Sequence, residues 1–323
     1  MSTMDRFEVR VAEVSAATPQ IRRLRLAHPR GEPLPSWEAG AHVKVRLPDG
    51  DERSYSLIDA SGDQSGMTRP HVYRLGVRLE EASKGGSKFM HSLKVGDTIS
   101  VSLPSNNFPL EQTTKPIVLL AGGIGVTPII SMATTLVAGG RDFRFIYAGR
   151  CRQHMAFLPE IEALAGPRLT LHIDDTAGIL DVRGLMASLT AGEPLYLCGP
   201  TAMLDAALSC ARELGWDKSR LRFEIFAAAA PVAGDRPFEV VLKNSGRSYV
   251  VPAGKSILDV LIEAGEDPMH DCKRGDCGIC QVGVIEGVPD HRDYILSDAE
   301  KAAGKLMQIC VSRSKSPRLV IDL

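Results

Sequence analysis

Four cysteines near the C-terminus constrain this chain more than any other feature. Cys272, Cys277 and Cys280 follow the spacing C-x4-C-x2-C, and Cys310 follows much later. This is the spacing of plant-type [2Fe-2S] ligands, and glycines such as Gly275 allow backbone N–H groups to approach the cluster sulfurs. Four thiolates can also bind Zn2+, but structural zinc sites usually pair their ligands in two short knuckles. The spacing therefore favours an iron-sulfur cluster and predicts an electron carrier.

The length of the chain limits the number of domains, and its net charge limits the kinds of partner. A chain of 323 residues is too long for one ordinary core and predicts two or three domains. Its net charge of -1 argues against nucleic acid as a partner. The N-terminus has no apolar segment typical of a signal peptide, and seven cysteines is an odd number, so we expect the reducing cytoplasm.

One uncharged stretch, residues 117–140, is long enough to cross a bilayer. Its glycines interrupt it, and the pair Thr127-Pro128 is typical of the start of a helix. We therefore predict strand, turn and helix here, and no membrane span.

Residues 1–110 are predicted to form an antiparallel β-barrel, because short β-capable runs alternate with turn-forming residues. The runs are 7–14, 21–27, 42–47, 53–57, 72–77 and 98–103. In the fourth run, Arg53-Ser54-Tyr55-Ser56, alternation puts Arg53 and Tyr55 on one face and Ser54 and Ser56 on the other. An arginine beside an aromatic ring suits a ligand with a phosphate and a flat ring, although an exposed arginine and a packed tyrosine is the commoner outcome.

A second element suited to phosphate is Lys84-Gly85-Gly86-Ser87, which precedes a short helical stretch. Glycines let the backbone come close to an anion, and the helix N-terminus together with Lys84 favours negative charge. Taken alone, this pattern is also typical of a surface turn.

Residues 111–227 are predicted to form a doubly wound parallel sheet, because strands and helices alternate. The strands are 117–121, 143–148, 169–173 and 194–198, and the helices are 128–138, 157–164, 183–189 and 202–214. The turn after the first strand contains Gly122, Gly123, Gly125 and Thr127, where such folds bind pyrophosphate. The segment Cys198-Gly199-Pro200 ends another strand on the same ligand side.

Residues 228–237, rich in alanine, proline and glycine, are predicted to be a linker to a final domain, 238–323. In that domain two strand-like runs flank Asn244-Ser245-Gly246 as a hairpin, and Ser256 is predicted to cap a helix before the cysteine loop.

The order of these motifs over the whole chain resembles the phthalate dioxygenase reductase family, the flavin reductases of Rieske-type oxygenases, including reductases like that of vanillate demethylase. The resemblance implies a multidomain chain: a flavin-binding barrel, a nicotinamide-binding α/β domain and a β-grasp plant-type ferredoxin of the α+β class. It implies that Cys198 lies beside the nicotinamide and that Phe226 covers the flavin ring. The cofactor-binding residues that the resemblance implies are Arg53, Tyr55, Ser56, Gly85, Gly86, Ser87, Gly122, Gly123, Gly125, Thr127, Gly199 and Pro200. From their positions in the same motifs or after the second strand, Ser54, Lys84 and Arg150 are also predicted to bind cofactor.

The resemblance also implies a function. The chain would be the reductase component of a Rieske-type aromatic-ring oxygenase or demethylase, passing electrons from NADH to FMN, to [2Fe-2S] and to the oxygenase. FAD is the alternative flavin. A di-iron hydroxylase or a haem protein is an alternative acceptor, and a redox-sensing flavin/iron-sulfur protein is an alternative function. We expect a monomer.

For the choice between NADH and NADPH, the residues near the expected ribose site and the family resemblance give different predictions. The ribose 2′ position is usually recognised near the end of the second strand, by an acid for NAD or an arginine for NADP. Here that strand is followed by Arg150 and Arg152, with no acid before Glu160, which would suit NADPH. The family mostly uses NADH, and an arginine can stack on adenine without selecting a phosphate. We therefore predict NADH.

Overall fold

The computed structural model describes residues 6–81, 83, 85–226, 232 and 234–323. The chain divides into two compact units: an N-terminal unit, Met1–Glu224, and a C-terminal unit, Ile225–Leu323. Of the predicted linker, residues 228–231 and 233 lie outside the described part of the chain. Within the described residues, no helix has the length and apolar character needed to cross a bilayer.

The N-terminal unit begins with six antiparallel strands in the order β4-β3-β6-β1-β2-β5. Their bounds are β1 (Arg6–Thr18), β2 (Ile21–Ala27), β3 (His42–Arg46), β4 (Glu52–Ser56), β5 (Val72–Arg78) and β6 (Thr98–Ser102), with short helices α1 (Ser65–Thr68) and α2 (Gly86–Ser92). The two edge strands meet, because the N–H of Ile58, just after β4, donates to the carbonyl of Arg74 on β5 at 3.0 Å. The sheet therefore curls into the predicted barrel.

Five parallel strands follow, in the order β11-β10-β7-β8-β9. Their bounds are β7 (Ile117–Gly122), β8 (Phe143–Gly149), β9 (Leu169–Ile173), β10 (Leu195–Cys198) and β11 (Leu221–Glu224). The helices are α3 (Val126–Ala138), α4 (Leu158–Ala165), α5 (Asp174–Ala177), α6 (Val182–Ala187) and α7 (Thr201–Glu213). Strand order reverses between β7 and β10, which is where doubly wound sheets bind ligands. Strand β11 was not predicted, because a run of four residues carries little periodicity.

The barrel and the α/β sheet share one hydrophobic core and a set of buried hydrogen bonds. Ser131 on α3 donates to the carbonyl of Leu57 at 2.9 Å, and Thr134 donates to the carbonyl of Asp59 at 2.7 Å. Both carbonyls lie just beyond β4, the strand that carries Arg53 and Tyr55. Helix α3, which begins at the glycine-rich turn, is therefore fixed to the segment that directly follows β4.

The C-terminal unit has a mixed five-stranded sheet in the order β13-β12-β18-β14-β16, and the parallel pair β12–β18 lies within it. The strands are β12 (Phe238–Leu242), β13 (Ser248–Val251), β14 (Gln281–Glu286), β15 (Pro289–Asp290), β16 (Leu306–Gln308), β17 (Arg313–Ser314) and β18 (Arg318–Asp322), and the helices are α8 (Ile257–Glu263) and α9 (Asp298–Ala303). Ser256 caps α8 as predicted, in a capping box with Asp259. The cysteine loop lies between α8 and β14.

Candidate functional site

The barrel places Arg53 and Tyr55 of β4 against Gly86, the first residue of α2. A Cβ atom added to Gly86 would lie 2.6 Å from Cγ of Arg53 and 3.2 Å from the Tyr55 hydroxyl, so only glycine fits there. Gly85 has a φ of 101°, which also favours glycine. The two predicted phosphate-suited elements are therefore adjacent, and they form a cradle that fits a phosphorylated ring ligand.

The polar groups of this cradle differ in how they are held. Arg53 donates to the carboxylate of Asp51 at 2.6 Å and is about one-third exposed. Burial raises the pKa of the Tyr55 phenol, which remains a neutral hydroxyl at physiological pH. The Ser87 hydroxyl accepts from the N–H of Glu80 at 3.1 Å. Among the described residues of the cradle, Arg53 therefore supplies a partly accessible positive charge.

The remaining predicted residues of the barrel site differ in burial, and one of them is not described by the structure. Ser56 is buried, whereas Ser54 is partly exposed. Lys84 lies outside the described residues. The roles of these three residues stay predictions.

The glycine-rich turn after β7 packs directly against the end of β10. A Cβ on Gly125 would collide with the carbonyl oxygen of Cys198, and one on Gly122 would lie 2.6 Å from Cδ of Pro200 and 3.2 Å from Cα of Gly199. Cys198 is buried and aligns with Ala121 in the parallel register. The structure therefore brings the two predicted nicotinamide motifs together at the point where strand order reverses.

Thr127 links this turn to the barrel. Its hydroxyl donates to the carbonyl of Ile124 at 3.1 Å, and α3 begins one residue earlier, at Val126. Its methyl group lies against Gly76 of β5, where an added Cβ would be 3.1 Å from it and 2.8 Å from the Phe157 ring. Gly123 has a φ of 54°, a conformation that favours glycine in this turn.

A buried acid that the sequence did not single out lies next to Cys198. Glu224, the last residue of β11, aligns with Cys198 in the parallel register and is buried. The signal that could have found it is its position two residues before Phe226. Phe226 itself is exposed and belongs to the C-terminal unit, and its role stays a prediction.

The predicted arginines of the loop after β8 pair with acids from other segments of the chain. Asp175, just beyond β9, donates its N–H to the carbonyl of Arg150 at 3.0 Å, and its carboxylate lies 3.8 Å from the Arg150 guanidinium. Arg152 donates to Glu162 at 2.6 Å. Both arginines therefore have carboxylate partners. The pairing of Asp175 with Arg150 was not predicted from the sequence, because the two residues are far apart in the chain and meet only where β8 and β9 are adjacent in the sheet.

The four predicted ligand cysteines converge in the C-terminal unit. The thiol of Cys272 makes hydrogen-bonding contact with those of Cys277 and Cys310, and Cys310 makes contact with Cys280. The contact with Cys277 is the main cause that lowers the pKa of Cys272, which favours a thiolate there. An all-thiolate donor set in a glycine-containing loop fits a [2Fe-2S] cluster.

The backbone of this loop has the conformation that such a cluster requires. The N–H of Arg274 points at the sulfur of Cys272 at 3.3 Å. Lys273, Gly275 and Gly278 have φ values of 55°, 83° and 80°, which turn the loop sharply. A Cβ on Gly275 would lie 2.7 Å from a methyl carbon of Val311, so the loop packs closely on the segment after Cys310.

A flavin cradle, a nicotinamide edge and an all-cysteine site together define a flavin- and nicotinamide-dependent iron-sulfur oxidoreductase. Residues 240–315 match the 2Fe-2S iron-sulfur cluster binding domain family. The chain is 40% identical to tetrachlorobenzoquinone reductase of Sphingobium chlorophenolicum, over 100% of this chain and 99% of that protein. It is also 40% identical to vanillate O-demethylase oxidoreductase of Pseudomonas sp. (strain HR199 / DSM 7063), over 98% and 100%.

Among solved structures, phthalate dioxygenase reductase, described as a modular structure for electron transfer from pyridine nucleotides to [2Fe-2S], matches with a TM-score of 0.75 and 35% identity over 98% of both chains. The chain belongs to the phthalate dioxygenase reductase family. The predicted fold, oxidoreductase activity, role as the reductase of an oxygenase system, and a cofactor set of flavin, nicotinamide and [2Fe-2S] are thereby confirmed.

Proposed function

We propose that NADH binds at the edge formed by the turn after β7 and the end of β10, and that the cradle of β4 and α2 holds FMN. The four cysteines would hold the [2Fe-2S] cluster, which would supply one-electron transfer to a terminal Rieske-type oxygenase. The observation that carries this assignment is the direct packing of Gly125 on Cys198 in the same compact unit as the cradle. A nicotinamide gives up two electrons as hydride, a cluster accepts one at a time, and flavin can do both.

The contribution of the protein is positioning. Gly122 and Gly125 let the backbone turn pack closely against the end of β10, which supports close approach of the dinucleotide to both. The hydrogen bonds of Ser131 and Thr134 fix α3 to the strand end beyond Tyr55, so the nicotinamide edge and the flavin cradle are held in one rigid frame. No side chain needs to transfer a proton to the substrate in this scheme.

Arg53→Ala is expected to weaken retention of FMN. One charge-assisted hydrogen bond to a phosphate contributes about 1.5–3 kcal/mol, so the dissociation constant should rise roughly 10- to 150-fold. Fluorescence titration of the flavin-free protein with FMN measures this. Riboflavin, which lacks the phosphate, is the matched ligand control and should bind both proteins equally. An unchanged affinity for FMN would show that Arg53 lies away from the phosphate.

The acids beyond β9 support a preference for NADH. Asp175 lies beside Arg150 and partly neutralises one of the two arginines that would attract a 2′-phosphate. A carboxylate near this position repels the phosphate and can accept a hydrogen bond from the 2′-hydroxyl.

Asp175→Asn should therefore raise kcat/KM for NADPH relative to NADH, by about tenfold if one like-charge repulsion of about 1.4 kcal/mol is removed. Steady-state ferricyanide reduction with each nucleotide is the measurement. Glu162→Gln, which removes the carboxylate partner of Arg152 in the same region, is the matched control. A ratio unchanged by Asp175→Asn, or a wild-type preference for NADPH, would contradict the assignment.

The protein is also proposed to act as a cytoplasmic monomer. All seven cysteines are free thiols, as a reducing compartment and cluster ligation require. Light scattering of the purified protein should give the single-chain mass, and a dimeric mass would contradict this proposal.

Reconstitution tests the whole assignment. The purified protein, shown by flavin release and iron analysis to carry FMN and iron, is combined with a purified Rieske-type oxygenase, the substrate of that oxygenase and NADH. Substrate-dependent NADH consumption by that pair supports the proposal. Efficient reduction of a di-iron hydroxylase or a haem protein in place of the Rieske oxygenase would assign the alternative acceptor.

A further inference from the structure

Both ends of the segment between Ile225 and Asp235 are bonded to the C-terminal unit. At the first end, the N–H of Ile225 donates to Oδ2 of Asp276 at 3.2 Å, and the Ile225 side chain is buried. Asp276 lies inside the cysteine loop, directly before Cys277. The residue that opens this unit is therefore held by the loop that holds the cluster.

The burial of Asp276 calls for a structural reason. Its side chain is only 7% exposed, and its other oxygen, Oδ1, has no hydrogen-bond partner among the residues that the structure describes. The guanidinium of Arg274 lies 4.0 Å away and offsets part of the charge. Burying a carboxyl is costly unless it is paired or hydrogen-bonded. Here the carboxyl accepts from the backbone N–H of Ile225 and also makes hydrogen-bonding contact with the Cys272 thiol.

At the far end, Asp235 is held by two arginines. Arg292 donates to both of its oxygens, at 3.0 and 2.5 Å, and the guanidinium of Arg313 lies 3.6 Å away. The hydrogen bonds from Arg292 lower the pKa of Asp235, which is therefore ionised at neutral pH. A bidentate arginine–carboxylate pair with one-tenth exposure is a strong attachment.

We propose that Asp276 is a positioning residue that fastens Ile225, and with it Phe226, to the cluster loop. The boundary between the two units falls at the Glu224–Ile225 peptide. Phe226 is thereby held with the cluster loop, and loss of the bond is expected to disturb that loop and to lower electron output from the cluster. The consequence for electron transfer rests on the proposed function, whereas the fastening does not.

Amide hydrogen exchange at Ile225 tests the fastening without turnover. In cluster-replete Asp276→Ala, exchange at Ile225 should become roughly tenfold faster, because the acceptor is lost. Asp276→Asn should have a smaller effect, since its amide oxygen can still accept. Glu263→Gln, which breaks the exposed pair with Lys255 in the same unit, is the control and should exchange like the wild type.

If Asp276→Ala does not retain iron, Asp276→Val is used in its place, because valine fills the buried space without supplying a hydrogen-bond acceptor. Wild-type exchange at Ile225 in a cluster-replete alanine or valine variant overturns the proposal. The ratio of cytochrome c to ferricyanide reduction should fall in the same variant. Faster amide exchange at Ile225 with an unchanged ratio of cytochrome c to ferricyanide reduction overturns the consequence for electron transfer. A wild-type protein that fails to reduce cytochrome c refutes the proposed function, but the exchange result still stands.

Discussion

Cys310→Ser is expected to abolish the [2Fe-2S] spectrum and to lower NADH-driven cytochrome c reduction by more than about a hundredfold. Mutation of residues that only hydrogen-bond to metal ligands already lowers metal affinity or activity roughly 10- to 100-fold, and loss of a ligand should have a larger effect. NADH–ferricyanide reduction should persist, since the flavin cradle and the nicotinamide edge lie in the N-terminal unit. Iron content, visible absorbance and the two steady-state assays measure this.

The matched control for Cys310→Ser is Cys210→Ala, which replaces a buried free cysteine on α7 that takes no part in the cluster site. It should keep both the iron and both activities. Full cytochrome c reduction by Cys310→Ser would show that this cysteine is not a ligand.

Gly125→Ala is expected to lower kcat/KM for NADH in the ferricyanide assay by about 10- to 100-fold. The added Cβ would collide with the backbone carbonyl of Cys198, and overpacking of this kind costs about 1–3 kcal/mol. The two nicotinamide motifs would have to separate. FMN content and reduction of the flavin by dithionite should match the wild type, because the cradle is untouched.

Gly139→Ala is the control for Gly125→Ala, because it adds the same atom at the end of the same helix. Its φ is -83°, and its new Cβ would come no closer than 3.3 Å to another atom. It should leave the kinetics with NADH unchanged. A Gly125→Ala enzyme with the wild-type kcat/KM would show that the dinucleotide binds away from this turn.

The sequence predicted those parts of the site that are local in the chain. The ligand cysteines have a characteristic spacing, and the order of strands and helices in residues 117–214 follows from alternating patterns. Gly85 and Gly86 were identified because a helix start and glycines are adjacent in sequence. Most of these predictions rest on residues that are close together in the sequence; Cys310 was identified by its spacing from the first three cysteines.

The parts that the sequence did not predict depend on sheet order or on contacts between distant segments. Asp175 meets Arg150 only because β8 and β9 are neighbours in the sheet. Glu224 lies beside Cys198 only because β11 pairs with β10. The bond from Ile225 to Asp276 joins segments separated by the first strands and helix of the C-terminal unit, and no local pattern indicates it.

Anaerobic rapid mixing of the purified protein with NADH tests the proposed route of electrons most directly. The visible absorbance of the flavin should fall first, and the EPR signal of a reduced [2Fe-2S] cluster should follow at a rate sufficient for turnover. In Cys310→Ser the first change should remain and the second should vanish. A cluster that stays oxidised while the flavin of the wild-type protein is fully reduced would contradict the proposed path from the N-terminal unit to the four cysteines.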